Sequence, residues 1–426
     1  MEERIGKKVW LVFLNLLIVL FSFSACENDT DITEQIEDNL PDIKGYPVVE
    51  TNQSTHYGNS TEIAPPNSGE AFYGQDAVYT GNTPSYTNNN NGAITDNVTG
   101  LMWSQTADMN GDGTIDTDDK MTYDEALAGA ASFKLGGYDD WRLPTIKELY
   151  SLIMFSGIDP ILEAQSPEGL VPFINTDFFG FGYGDIDADQ RIIDAQFASS
   201  TLYVSTTMHG NETMFGVNFA DGRIKGYPTG TMGDMPNANG YYVYYVRGNK
   251  DYGKNSFIDN GNGTITDEAT GLMWTQSDNG TGLNWEDALK YAEDSELSGY
   301  SDWRLPNAKE LQSIVDYTRS PATSGSAALD PIFNATEITN EAGDSDYPYY
   351  WSGTTHYSEG RRAENAVYIA FGRGLGSMFG EILDVHGAGC QRDDRKIEHT
   401  GGTGSEAPQG DITRTYNFVR LVRNVN

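Results

Sequence analysis

The stretch Asp108 to Asp119, "DMNGDGTIDTDD", sets oxygen-bearing side chains at alternate positions around two glycines. A hard cation such as calcium takes about six to eight oxygens, which an EF-hand-type loop supplies from its positions 1, 3, 5, 7, 9 and 12, with glycine at 6. In this chain those positions are Asp108, Asn110, Asp112, Thr114 through its carbonyl, Asp116 and Asp119, and Gly113 stands at the turn. Position 12 departs from the pattern, being Asp rather than the bidentate Glu. Carboxylates this close repel one another unless a cation neutralises them. A sensor loop lies between two helices that open on binding. Here the strand-like "GLMWSQ" precedes the loop and a single helix follows it, so the expectation is a structural calcium clip.

A second group lies near the end, where "DVHGAGCQRDDRK" sets His386 and Cys390 four apart with His399 beyond. A nucleophile with its base, or a zinc site, has this outline, but no CxxC or HExxH spacing supports it. A structured loop is expected, and an envelope enzyme using Cys390 and His386 is the alternative. "DIDAD" (Asp185 to Asp189) and "DNGNGTITD" (Asp259 to Asp267) read as solvated turns.

The elements that position these residues are written twice. "ITDNVTGLMWSQ" (Ile94 to Gln105) recurs 171 residues later as "ITDEATGLMWTQ", and the segment Tyr123 to Ile153 recurs 162 residues later at Trp285 to Val315. The difference between the offsets is the calcium-like loop, which the second copy lacks. Each copy predicts a hairpin ending on Trp103 or Trp274, then a helix with one apolar face, then "DWRLP" and a second helix. Thr145 with Glu148, and Asn307 with Glu310, read as caps of that second helix. The charges of "DWRLP", namely Asp140, Arg142, Asp302 and Arg304, are expected to pair around the helix start. The aromatics of "YYWSGTT" (Tyr349 to Thr355) are expected in the core. The expected class is α+β: two tandem domains, each with two helices and short antiparallel strands.

The order "GLMW", helix, "DWRLP", second helix, "YWS" and a closing "VRLVR" resembles the C-terminal domain family of the Legionella collagen-like surface protein, over about 350 residues. The resemblance implies C-type-lectin-like domains and adhesion or ligand binding outside the cell, sulfated glycosaminoglycans included, with no catalytic residues to carry over. "WRLPTIKEL" and "WRLPNAKEL" resemble, more distantly, the "RLPTEAEWE" element of formylglycine-generating enzymes. That activity relies on a pair of active-site cysteines, and only Cys390 is at hand. The calcium-like loop also resembles dockerin-type loops in its Asp119.

The N-terminus carries a charged "MEERIGKK", an apolar run from Val9 to Phe23 and then "SAC". The run is shorter than a comfortable membrane span, and its ending resembles a lipobox. Residues 1–25 are therefore expected to be a lipoprotein signal peptide and Cys26 the lipidated residue, which leaves no partner for a disulfide to Cys390. Residues 26–70, acidic and without apolar periodicity, read as a tether. They are followed by domains at 71–249 and 250–426. A net charge of −35 repels polyanions and excludes nucleic acid as a partner. Arg361 with Arg362, and Arg392 with Arg395 and Lys396, are the local basic clusters open to a sulfated ligand. The expectation is a lipid-anchored binding or adhesion protein of the cell envelope, at the outer membrane or cell surface. Its ligand would be a glycan or a surface protein; a structural envelope component is the other alternative.

Overall fold

Each copy opens on its expected hairpin. The computed structural model describes residues 45–161, 163–230, 240–378, 380–398 and 410–425, so the signal segment, Cys26 and His399 lie outside the described residues. The first copy runs through β1 (Tyr86–Asn88), β2 (Ala93–Asp96), β3 (Leu101–Ser104), α1 (Tyr123–Ala130), α2 (Ile146–Ser151), β4 (Gln196–Thr207), β5 (Asn211–Asn218), β6 (Arg223–Pro228) and β7 (Val246–Gly248). In the second, β8 (Phe257–Asp259), β9 (Thr264–Asp267) and β10 (Leu272–Thr275) lead to α3 (Trp285–Glu293) and α4 (Ala308–Ser313). There follow β11 (Ile338–Thr339), β12 (Ser345–Asp346), β13 (Tyr349–Ser358), β14 (Arg362–Ala370), β15 (Leu375–Met378), β16 (Glu381–Asp384), β17 (Gln391–Arg395) and β18 (Val422–Asn424).

Local chemistry explains these boundaries. In the two hairpin turns the Oδ1 of Asp96 accepts from the amides of Val98 and Thr99, and that of Asp267 from Ala269. The turns end on Gly100 at φ 70° and Gly271 at φ 72°, where a side chain would be strained. Thr145 and Asn307 cap α2 and α4 in capping boxes closed by Glu148 and Glu310. Trp103, Trp274, Trp285, Trp303 and Trp351 are fully buried in one contiguous core. Burying each such ring contributes on the order of 2–3 kcal/mol.

The class is not the expected α+β pair of C-type-lectin-like domains. Antiparallel sheet dominates, with 31% of the chain in strand and 11% in helix. The helical periodicities are real, but α2 and α4 are only six residues each. The long strands β4, β5, β13 and β14 join with β6 and β17 into a single six-stranded sheet ordered β13-β14-β17-β6-β5-β4. Three of its strands come from each copy, and the seam is the pairing of Gln391 with Ile224. Two four-stranded sheets, β1-β2-β3-β7 and β8-β9-β10-β18, repeat each other on either side.

An approximate twofold relates the copies across this seam. The Nζ of Lys147 at α2 donates to the Ser313 carbonyl at 2.6 Å, and Lys309 of α4 reciprocates to the Ser151 carbonyl at 2.8 Å. Arg223 of β6 meets Asp393 of β17 at 2.7 Å and Asp159 at 2.8 Å, all three largely buried. Removing one member of such a buried pair costs about 3–5 kcal/mol, because the remaining charge is left without compensation.

Residues 45–70, assigned above to the tether by composition, carry buried Tyr46, Val49, Thr51 and Gln53. Together with residues 71–80 they form an arm that leaves the first copy and crosses the second. Gln53 donates to the Thr355 carbonyl and accepts from the Thr355 amide, both at 2.8 Å, standing in for a neighbouring strand on the edge of β13. Phe72 stacks on Trp285, and Lys396 donates to the carbonyl of Gly58.

Candidate functional site

The calcium-like loop folds around its own carboxylates. Gly111 and Gly113, at φ 75° and 93°, turn the chain so that their amides reach Asp108 Oδ1 and Oδ2 at 2.7 and 3.0 Å. Asn110 Oδ1 accepts from the Asp112 amide, and Asp112 Oδ1 accepts from the amide and hydroxyl of Thr114, which also donates to Asp116. The Thr114 hydroxyl and amide hold the Asp112 carboxyl below the ordinary range. Asp119 is buried and accepts from the amides of Met109, Asn110 and Asp116. The "DIDAD" loop lies alongside, with Thr117 donating to Asp185 at 3.2 Å. Among the described residues no three Asp, Glu, His or Cys side chains are gathered as metal ligands in this structure. The six sequence positions thus share one loop, and their oxygens are turned toward backbone amides.

The repeated charges of "DWRLP" are consumed internally. Arg142 grips Glu148 with two bonds of 2.5 and 2.6 Å, and Arg304 grips Glu310 likewise. Asp140 pairs with Arg247 at 2.6 Å and Asp302 with Arg423 at 2.7 Å. Each of those arginines also lies over a tyrosine ring, Tyr138 or Tyr300. Such bidentate pairs lock the helix starts and the closing strands together in both copies.

Cys390 and His386 are both buried, and burial pushes the thiol of Cys390 far above its usual range. A Cβ at Gly374 would lie 2.6 Å from its sulfur, so no room exists there for a substrate. Burial also lowers the pKa of His386, whose Nε2 lies 2.7 Å from Asp411 Oδ1; Asp411 in turn accepts from Arg392 Nε at 2.9 Å. An unreactive thiol and a buried imidazole whose Nε2 is committed to a hydrogen bond with Asp411 do not form a nucleophile with its base. Of the basic residues considered for a sulfated ligand, Arg392 and Lys396 are buried, while Arg362 is exposed beside Tyr357. Tyr349, Tyr350 and Trp351 are buried and present no stacking platform.

Two of the open clefts lie at equivalent places in the two copies and differ in size. The first copy's cleft, of about 620 Å³, lies between the start of α2, Ser200 and Thr201 of β4, the linker around Tyr252 to Asn255, and Val315 to Thr318 of the second copy. Its counterpart beside Arg304, Asn307 and Glu310 is only about 200 Å³, because Val48, Asp76 and Tyr79 of the arm stand in it. Sequence reasoning missed both clefts: the DWRLP motif and the helix cap that follows it line each of them, but those residues read as paired around the helix start. The one signal was the Gly of "YYWSGTT" at 353, where the first copy has Ser200.

These features define a duplicated β-sheet scaffold whose repeated charges are internal struts and whose open features are surfaces. The chain belongs to the Lcl C-terminal domain family, whose model matches residues 92–247 and 263–382, one segment in each copy and together more than half of the chain. No curated protein and no solved structure matches it.

Proposed function

We propose that this protein is a surface-associated binding protein of the cell envelope that acts by surface complementarity rather than by turnover. The observation that carries the reading is the contrast between struts and surfaces. The charged motifs of both copies are spent on internal ion pairs, while the first copy keeps an open cleft. Membership of the Lcl C-terminal domain family is compatible with such a role outside the cell. In this reading Cys26 carries the lipid and attaches the protein to the membrane; no helix among the described residues is long and apolar enough to cross one. The Asp108–Asp119 loop binds calcium as a local clip, supported by its oxygen spacing and its glycine turns. The ligand is a glycan or a surface protein. The full chain in detergent, presented to a glycan array and to detergent-extracted envelope proteins, is expected to retain a specific partner. Blank arrays together with no captured envelope protein would overturn the reading.

A further inference from the structure

The stretch of sheet edge that the arm covers in the second copy has its counterpart in the first at Leu202 to Val204, where Leu202 and Val204 are exposed. In the second copy, Thr354 accepts from the Ala308 amide at 3.0 Å and donates to Asp76 Oδ2 at 2.6 Å, while Thr51 donates to the same oxygen at 2.7 Å. The arm passes so close that a Cβ at Gly353 would lie 3.2 Å from the Asp76 amide nitrogen. The first copy repeats the receiving half of this arrangement. Thr201 accepts from the Ile146 amide at 2.9 Å, and the Ser200 amide bonds Pro144 as the Gly353 amide bonds Pro306. Yet among the described residues no carboxylate meets Thr201. The reason is in the chain itself: the arm at 51–80 precedes the hairpin of the first copy, whereas the second copy passes from Asn255 to β8 within two residues, so no equivalent segment precedes its hairpin.

The geometry points to the cleft beside Ser200 and Thr201 as a docking site for an extended, acidic polypeptide segment of another molecule, held there as the arm holds Asp76 on the second copy. This deepens the binding role proposed above and rests on it. Three properties favour a polypeptide with a carboxylate. The strand edge at Leu202 corresponds to the edge at Thr355 that Gln53 covers, and edge strands take up extended segments through their backbone groups. Leu202 and Val204 are 49% and 39% exposed beside it, an apolar strip for alternate side chains. Exposed Lys250, in a chain of net charge −35, offers a local attraction for an acidic side chain, against Asp316 and Asp330 on the same lining and with Lys254 paired to Asp251.

The probe is a fluorescent peptide of residues 70–80, "EAFYGQDAVYT", titrated into the detergent-solubilised full chain and followed by anisotropy. Saturable binding is expected, weakened about tenfold by Asp→Ala at the peptide's Asp76 position, which removes the acceptor oxygen, and by Thr201→Val in the protein. Ser200→Gly, which clears the path that Gly353 leaves open for the arm, is expected to tighten it. The peptide substitution cannot affect folding, so it keeps the test decisive if Thr201→Val is unstable. No saturable binding to either the wild type or Ser200→Gly would overturn the proposal, as would binding indifferent to the Asp→Ala change and to both protein variants. If that happens while a glycan or envelope protein is still retained, the acidic-segment site falls and the general binding role stands.

Discussion

Asp76 pins the arm to the second copy, and its replacement by Asn tests how that pin works. The carboxyl is buried, and burial raises its pKa from 3.8 to about 6 against the lowering effect of the Thr354 and Thr51 hydroxyls. A folded-state pKa above the unfolded one means the protonated form is the one the fold favours. The associated stability is complete below about pH 4 and is lost as pH rises through 6. The rise corresponds to about 3 kcal/mol. Asp76→Asn keeps the shape and removes the titration. Urea unfolding at pH 4, 6 and 8 should therefore show the difference between wild type and variant shifting by about 3 kcal/mol in the variant's favour between the ends of the series. Other carboxylates titrate in both proteins and cancel in that difference. Parallel stability curves would refute the reasoning, because Asp76 would then be solvated and the arm not seated on Thr354.

Other outcomes follow from the same packing. Burial lowers Lys309 to about 7, so wild-type stability should climb from pH 7 toward 10 as the unfolded chain alone keeps that proton; Lys309→Met should flatten the climb in the same unfolding assay by up to about 5 kcal/mol. Calcium should raise the thermal midpoint, with about 2.7 kcal/mol of stabilisation at a hundredfold excess over its dissociation constant, and Asp112→Ala should abolish the rise; an intact protein insensitive to chelation would refute the clip. Mass mapping after alkylation should find Cys390 unmodified in the native protein and modified in urea; rapid native modification would contradict its burial.

Much of this was legible wherever the cause is local. Capping pairs such as Thr145 with Glu148, the glycine ending of each hairpin turn and the apolar face of α3 are set within a few residues, and the structure has them where periodicity and side-chain chemistry put them. The duplication was legible because two stretches of the same chain can be compared directly. The shared sheet was not, since β13 and β14 are buried on both faces and show no alternation that says which strand lies next to them. That is also why two separate α+β domains with short antiparallel strands were expected. The arm was misread for a different reason: Thr51, Gln53 and Asp76 are polar residues buried with their hydrogen bonds satisfied, and composition cannot tell such residues from a solvated tether. At the candidate site, the charged motif drew attention that belonged to Thr201 and Ser200, whose meaning depends on a segment more than a hundred residues away.

Native-state hydrogen exchange, read by mass spectrometry on peptides covering β4 and β13, tests the central claim of two equivalent edges with unequal cover. The Thr355 amide donates to Gln53 under the arm, whereas the edge at Leu202 and Val204 is exposed. Residues 352–357 should therefore exchange at least about tenfold more slowly than residues 199–204, and Asp76→Asn at pH 8 should not erase the difference. Equal protection of the two segments would mean that the arm does not cover one edge, or that something covers the other, and the account would be contradicted.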